Sequence, residues 1–220
     1  MVVQKKPTAL ERALNGDGAV PRATPLDALR LARERWVAGE RLDMGALAKE
    51  LGVSRATLYS WVGSKERLIG EVLWSFAEEG LEQARAAASG SGAEYVLDVF
   101  ERFDHLNVEF KPLRRFVEQE PELALRLLTS KHGPVQGRMI AAARELLAEQ
   151  VEAGALELAL DIDTLAYLLV RVAESFIYSD VIAGSEPDVD KAVEVARVLL
   201  YAPPLPRRAR VAGAQPRADE

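Results

Sequence analysis

Three times between Thr24 and Gly63 the chain sets a capping side chain ahead of apolar residues at helical spacing and closes the run with glycine. Thr24-Pro25 opens the first run, Asp43 the second and Ser54 the third; Gly39, Gly52 and Gly63 end them. A Ser, Thr or Asp side chain satisfies bare amides at a helix start, proline is preset for the first helical position, and glycine tolerates the left-handed backbone that ends a helix. The pattern therefore predicts short helices. The first carries Leu26, Leu29, Ala32, Trp36 and Val37, the second covers 44–51 and the third 55–62. Ala46, Leu47 and Leu51 are expected to pack against Val53, Leu58 and Val62 across the tight Gly52-Val53-Ser54 turn, which is helix-turn-helix geometry.

A fourth helix opens at Ser64-Lys65-Glu66-Arg67, repeats Leu68, Ile69, Val72, Leu73 and Phe76 at helical spacing, and is predicted to end near Ala88, before a Ser89-Gly90-Ser91-Gly92 linker. Further helices are predicted over 93–107, 113–120 and 122–130, then from Gly133-Pro134 to near Gly154, over 162–183 and over 188–200. The 49% hydrophobic and 6% aromatic shares, rich in Ala and Leu, fit this reading better than a β-sandwich. The expected fold class is all-α: an N-terminal three-helix unit followed by a larger helical one. The expected boundaries are a flexible extension over 1–23, the helix-turn-helix unit over 24–70, the second helical unit over 71–202 and a disordered tail over 203–220. A basic arm in the extension, bearing Lys5 and Lys6, is a second reading of 1–23. No repeat of 20–50 residues is visible.

Absent cysteine rules out disulfides, thiolate zinc sites and cysteine nucleophiles. His105 and His132 stand in no motif that would bring two imidazoles together, so neither metal nor cofactor is expected. Ser/His/Asp order, phosphate loop and paired Glu-x-x-His are also missing, and Asp161-Ile162-Asp163 reads as a helix cap, which argues against an enzyme. Neither a signal peptide nor a run of about 18 apolar residues is seen, and a cytoplasmic protein without membrane contact is expected. The net charge of −6 is uneven. Residues 1–75 hold 12 Lys/Arg against 9 Asp/Glu, whereas 76–220 hold 16 against 25. Charge attraction to phosphates is screened beyond about 8–10 Å, so the front end can meet a duplex that the acidic remainder avoids.

With one face of 55–62 buried, the other presents Arg55, Thr57, Tyr59, Ser60 and Trp61. An arginine fork reads guanine edges, a threonine methyl touches thymine, and hydroxyls hold phosphates. The aromatic pair also reads as partly buried core, and Arg55 as a solvated charge. Lys65 is a cation at a helix start, an unfavourable place unless an anion is held there.

The run Leu47-Ala48-Lys49-Glu50-Leu51-Gly52-Val53-Ser54, then Thr57-Leu58-Tyr59, Ser60-Trp61 and Ser64-Lys65-Glu66-Arg67-Leu68, resembles the TetR family of repressors over about 25–76. Val62 stands where phenylalanine is commoner and Gly63 where proline is frequent, departures that touch packing more than contact. The resemblance implies base reading by Arg55, Ala56 and Thr57, and phosphate contacts from Ser54, Tyr59, Trp61 and Lys65. It further implies a double-stranded DNA operator, a small-molecule effector and a homodimer, with the C-terminal unit serving ligand binding and dimerisation. The segment 163–200, with Ala166-Tyr167-Leu168-Leu169-Val170-Arg171-Val172-Ala173-Glu174-Ser175-Phe176-Ile177-Tyr178 and Glu186-Pro187-Asp188-Val189-Asp190-Lys191-Ala192, is similar to the QsdR-type branch.

Pairing of the last two long helices with their copies, as in that family, finds candidate stripes in Leu165, Leu168, Val172 and Phe176, and in Val189, Ala192, Val193, Ala196 and Leu199. The same stripes also read as core of a single chain. Tyr167, Arg171, Glu174 and Tyr178 recur on one face of 163–183 and suit a ligand pocket, although Arg171 and Glu174 equally read as a surface ion pair. Trp74, Phe103 and His105 are further pocket candidates, being bulky or polar on apolar faces.

Overall fold

The computed structural model describes residues 23–131 and 133–203. The extension and tail expected over 1–23 and 203–220 thus lie outside the described residues, apart from Ala23 and Pro203, as does His132. The chain divides into two compact units, the first ending at Val72 and the second beginning at Leu73.

In the first unit α1 spans Pro25–Val37, α2 Met44–Glu50 and α3 Arg55–Val62, and α4, Lys65–Ala87, begins there. Thr24 and Asp27 cap α1 reciprocally: the Thr24 hydroxyl accepts from the Asp27 amide, and the Asp27 carboxylate accepts from Thr24 N at 2.8 Å. Asp43 caps α2 by accepting from Ala46 N at 2.7 Å, and Ser54 caps α3 by accepting from Thr57 N at 3.0 Å. The three helices pack on one another around Ala28, Ala32, Trp36, Leu42, Met44, Leu47, Ala48 and Leu58. Ala46, expected inside, is exposed, because capping by Asp43 turns that position outward; Met44 and Ala48 take its place. Arg35 ties the end of α1 to its surroundings by pairing with Glu40 and Glu50.

The turn from α2 to α3 is closed by two hydrogen bonds, Val53 N to Ala48 O at 2.9 Å and Gly52 N to Lys49 O at 3.2 Å. This is the Schellman arrangement, and it needs a left-handed residue, supplied by Gly52 at φ +67°.

The second unit adds α5, Gly92–Glu109; α6, Lys111–Gln119; α7, Pro121–Thr129; α8, Gln136–Glu152; α9, Ile162–Ile177; α10, Ser179–Ile182; and α11, Val189–Leu200. No strand occurs among the described residues. Helix α9 lies against α8 and α11, and α5 packs on α8, α9 and α11. Ala84, Val96, Leu97, Val99, Leu146, Leu147, Leu165, Leu169, Val193 and Leu200 share one core. Each large aliphatic side chain there contributes roughly 1.5–3 kcal/mol by burial.

Two expectations for this unit change. The Ser89–Gly92 segment is pinned: Ser89 N donates to Asp98 at 2.9 Å, and Gly92 N to Gln150 Oε1 at 2.9 Å. A Cβ at Gly92 would stand 2.1 Å from Ala155 O, so glycine permits that close approach. The helix expected over 162–183 breaks at Tyr178. There the Ser179 hydroxyl lies 2.9 Å from Phe176 O, 3.0 Å from Ser185 O and 2.9 Å from Glu186 O, drawing the following loop back.

A Gly52→Ala substitution meets no steric neighbour but forces alanine into the left-handed region. Chemical denaturation followed by circular dichroism is expected to show the helix-turn-helix unit destabilised by roughly 1–2 kcal/mol.

Candidate functional site

Leu58 is fully buried, and its burial fixes the roll of α3. Arg55, Ala56 and Ser60 are exposed, Tyr59 is 38% exposed, and Thr57, Trp61 and Lys65 are half-buried. Positions 55, 56, 59 and 60 share one side of a helix of 3.6 residues per turn. Arg55 and Lys65 form no ion pair among the described residues, so both cationic heads are free for an incoming anion. Ser54 and Thr57 are more committed. Beyond the cap, their hydroxyl oxygens lie 2.8 Å apart, and the Ser60 hydroxyl donates to Thr57 O at 2.8 Å. Ser54 also belongs to the solvent-facing rim at the start of α3. The resulting surface is a guanidinium and a phenol on the outward side of a two-turn helix, with hydroxyls at its start and an ammonium at the start of α4. It offers hydrogen-bond donors to bases and phosphates alike.

The second unit holds a buried polar cluster. Glu174 of α9 is buried, pairs with Arg171, and accepts from Gln136 Nε2 of α8 at 3.3 Å. The same amide donates to Thr129 O at 2.5 Å, and Arg171 donates to that carbonyl at 3.3 Å. Arg114 of α6 pairs with Asp180 of α10 and donates to Ile177 O at 3.3 Å. Tyr178 is buried; burial raises its phenol pKa, and the carboxyls of Glu174 and Asp104 raise it further, while Arg114 opposes them. Burial also pushes Glu174 up to about 7, against the opposing pull of Arg171 and Gln136.

Of the pocket candidates, Arg171, Glu174 and Tyr178 therefore come together. Tyr167 does not, being 49% exposed. His105 is exposed, Phe103 is half-buried beside Gly80, and Trp74 lies under the Arg138 guanidinium at 5.4 Å from the ring centre. Sequence reasoning chose Phe103 and His105 and passed over Asp104 between them, which is the buried one. Its signal was available: Asp104 continues the Val96, Leu97, Phe100 stripe at helical spacing, an acid on an apolar face.

The interface candidates divide. Leu165, Val189, Ala192, Val193 and Ala196 are buried within the subunit, because α9 and α11 pack on each other and on α5, so they are not available to a second copy. Leu168, Val172, Phe176 and Leu199 keep part of their surface, and Val195 and Val198 are exposed on α11.

A helix-turn-helix with a donor-rich outward face, followed by a separate helical unit, defines a DNA-binding transcriptional regulator. Residues 91–201 match the family model of the tetracyclin repressor-like C-terminal domain. The structure is similar to that of the R. erythropolis transcriptional repressor QsdR, with 33% identity, a TM-score of 0.75, and coverage of 80% of this chain and 93% of that one. It is also similar to the repressor AlkX from a Dietzia strain, implicated in n-alkane biodegradation, with 25% identity, a TM-score of 0.53, and coverage of 83% and 94%. No curated protein sequence matches the chain closely enough to count. The chain belongs to the TetR family of transcriptional regulators. None of the described helices is long and apolar enough to cross a membrane.

Glu174 makes stability depend on pH. Its folded pKa of about 7 exceeds the ordinary 4.5, so the folded chain holds this proton more tightly than the unfolded one. That contribution is complete below pH 4.5 and is lost as pH rises through about 7. Thermal melts across this window are expected to show wild type losing stability relative to Glu174→Gln as pH increases.

Proposed function

We propose that this chain is a ligand-responsive repressor that binds a palindromic double-stranded DNA operator as a homodimer and releases it when a small-molecule effector occupies the second unit. The observation that carries the DNA reading is the unpaired Arg55 at the exposed first turn of α3. In this reading Arg55, Ala56 and Thr57 face base edges in the major groove. Ser54, Tyr59, Ser60, Trp61 and Lys65 fix the register on the phosphates.

One α3 of eight residues buries too little surface for operator-grade affinity, and a two-fold pair reading two half-sites supplies it. The dimer surface is the outer face of α9 and α11: Leu168, Val172 and Phe176 with Val195, Val198 and Leu199. The exposure of Val198, at 70%, supports it. The effector site is the cluster around Arg171, Glu174 and Tyr178, where polar groups converge inside an apolar bundle. Helix α4 supplies residues to both units and carries the coupling. The coupling is reciprocal, at about 1–3 kcal/mol, so effector and operator weaken each other by the same factor. The chain performs no chemistry on its effector.

Selection of bound fragments from random DNA is expected to return a palindrome. Against that site Arg55→Ala should lose roughly 1–3 kcal/mol of discrimination over scrambled DNA with its melting temperature kept. Equal discrimination by the variant would overturn the assignment of α3. Light scattering of Val198→Glu is expected to give a monomer with unchanged helical content, since a charge facing its symmetry mate disfavours association; a persisting dimer would move the interface elsewhere.

A further inference from the structure

Asp104 stands in the middle of α5 and is 1% exposed, and its Oδ2 has no hydrogen-bond partner among the described residues. Native proteins seldom leave a buried carboxyl oxygen in that condition, and ligand sites are a principal exception. The donors nearest in the cluster are already committed. Arg114 is held by Asp180 and Ile177 O, Arg171 by Glu174 and Thr129 O, and the Gln136 amide by Thr129 O and Glu174. The charges acting on Tyr178 place Asp104, Arg114 and Glu174 in its neighbourhood. Asp180 also has one buried oxygen without a hydrogen bond, but it is paired with Arg114, as Glu174 is with Arg171; Asp104 has no such cation among the described residues. Burial alone pushes its pKa well up, with no cation and no hydrogen bond to offset it.

We propose that Asp104 is the anchor for a protonated amine on a small, otherwise apolar effector. This inference rests on the effector site assigned above. A neutral hydroxyl would supply a hydrogen bond alone, and an anion would supply nothing that draws the buried carboxyl to its charged form. An ammonium group brings both donor and charge. The apolar stem follows from the surroundings, because Val96, Phe100 and Phe103 share the α5 face or flank that Asp104 occupies.

The test is calorimetric titration of the full chain with butylamine, hexylamine and octylamine, each beside the alcohol of the same length. At least one amine is expected to bind with single-site stoichiometry at least about tenfold tighter than its alcohol. That preference is expected to vanish in Asp104→Asn. Should this variant not fold, Asp104→Leu makes the same comparison, since it removes both oxygens and leaves an apolar side chain. Equal binding of amine and alcohol, absence of amine binding, or a preference retained without the carboxyl would each overturn the proposal. Operator binding is measured in parallel. A chain that holds its palindrome but ignores amines refutes the anchor and spares the regulator. One that binds amines through Asp104 but holds no DNA refutes the regulator and spares the anchor.

Discussion

A helix of two turns does not persist alone in water, since nucleation consumes more conformational freedom than so few hydrogen bonds return. Helix α3 has eight residues, and its existence depends on Leu58 being driven fully into the small core formed with α1 and α2. Ser54 caps the start and the Gly52 turn fixes the entry angle, so the helix is held at one end by hydrogen bonds and along one side by packing. Once Leu58 points inward, the outward direction of Arg55 and Tyr59 is no longer a separate choice. The interface chemistry is thus a geometric consequence of one buried leucine. The same constraint explains why the polar residues Ser54, Thr57 and Ser60 satisfy one another locally: at a solvent-facing helix start, side-chain oxygens cap the amides that the helix itself cannot.

The second unit solves a different problem. Its α9 is two helices in one. The first half commits Leu165, Ala166 and Leu169 to the shared core, whereas the second sets Arg171 on the Thr129 carbonyl of α7, Glu174 on Gln136 of α8 and the Ile177 carbonyl on Arg114 of α6. Low local dielectric strengthens those hydrogen bonds and makes any unpaired member costly. A cluster in which one oxygen each of Asp104 and Asp180 lacks a hydrogen-bond partner among the described residues is therefore not a neutral piece of packing.

The first unit was legible because its determinants are local. Caps at Thr24, Asp43 and Ser54 and the glycine at position 52 each act within a few residues, so sequence spacing carries the geometry. The exception, Ala46, fell to the same logic applied too coarsely: apolar identity placed it inside, while its position beside the Asp43 cap turned it out. The second unit was legible in its helices but not in their faces. A helix packed on several sides carries more than one apolar stripe, and periodicity cannot say which of them meets its own subunit. Periodicity singles out Val189, Val193 and Ala196 as the interface stripe, yet these are the ones buried where α11 packs on α5 and α9, and Val195 and Val198 are the ones left exposed. Asp104 and Gln136 were missed for a related reason, since the partners that define a buried polar group lie far away in sequence.

Charge is distributed unevenly along the chain. A chain of net charge −6 would be repelled by a polyanion if its charge acted as a whole, but at ionic strengths where the screening length is about 8–10 Å it does not. Arg55 and Lys65, without an ion pair among the described residues, belong to the mildly basic first 75 residues, and the acid excess lies beyond them in sequence. In the second unit it is burial, not that excess, that raises the pKa of the Asp104 carboxyl. One uneven distribution thus sets a mildly basic N-terminal segment against an acidic remainder.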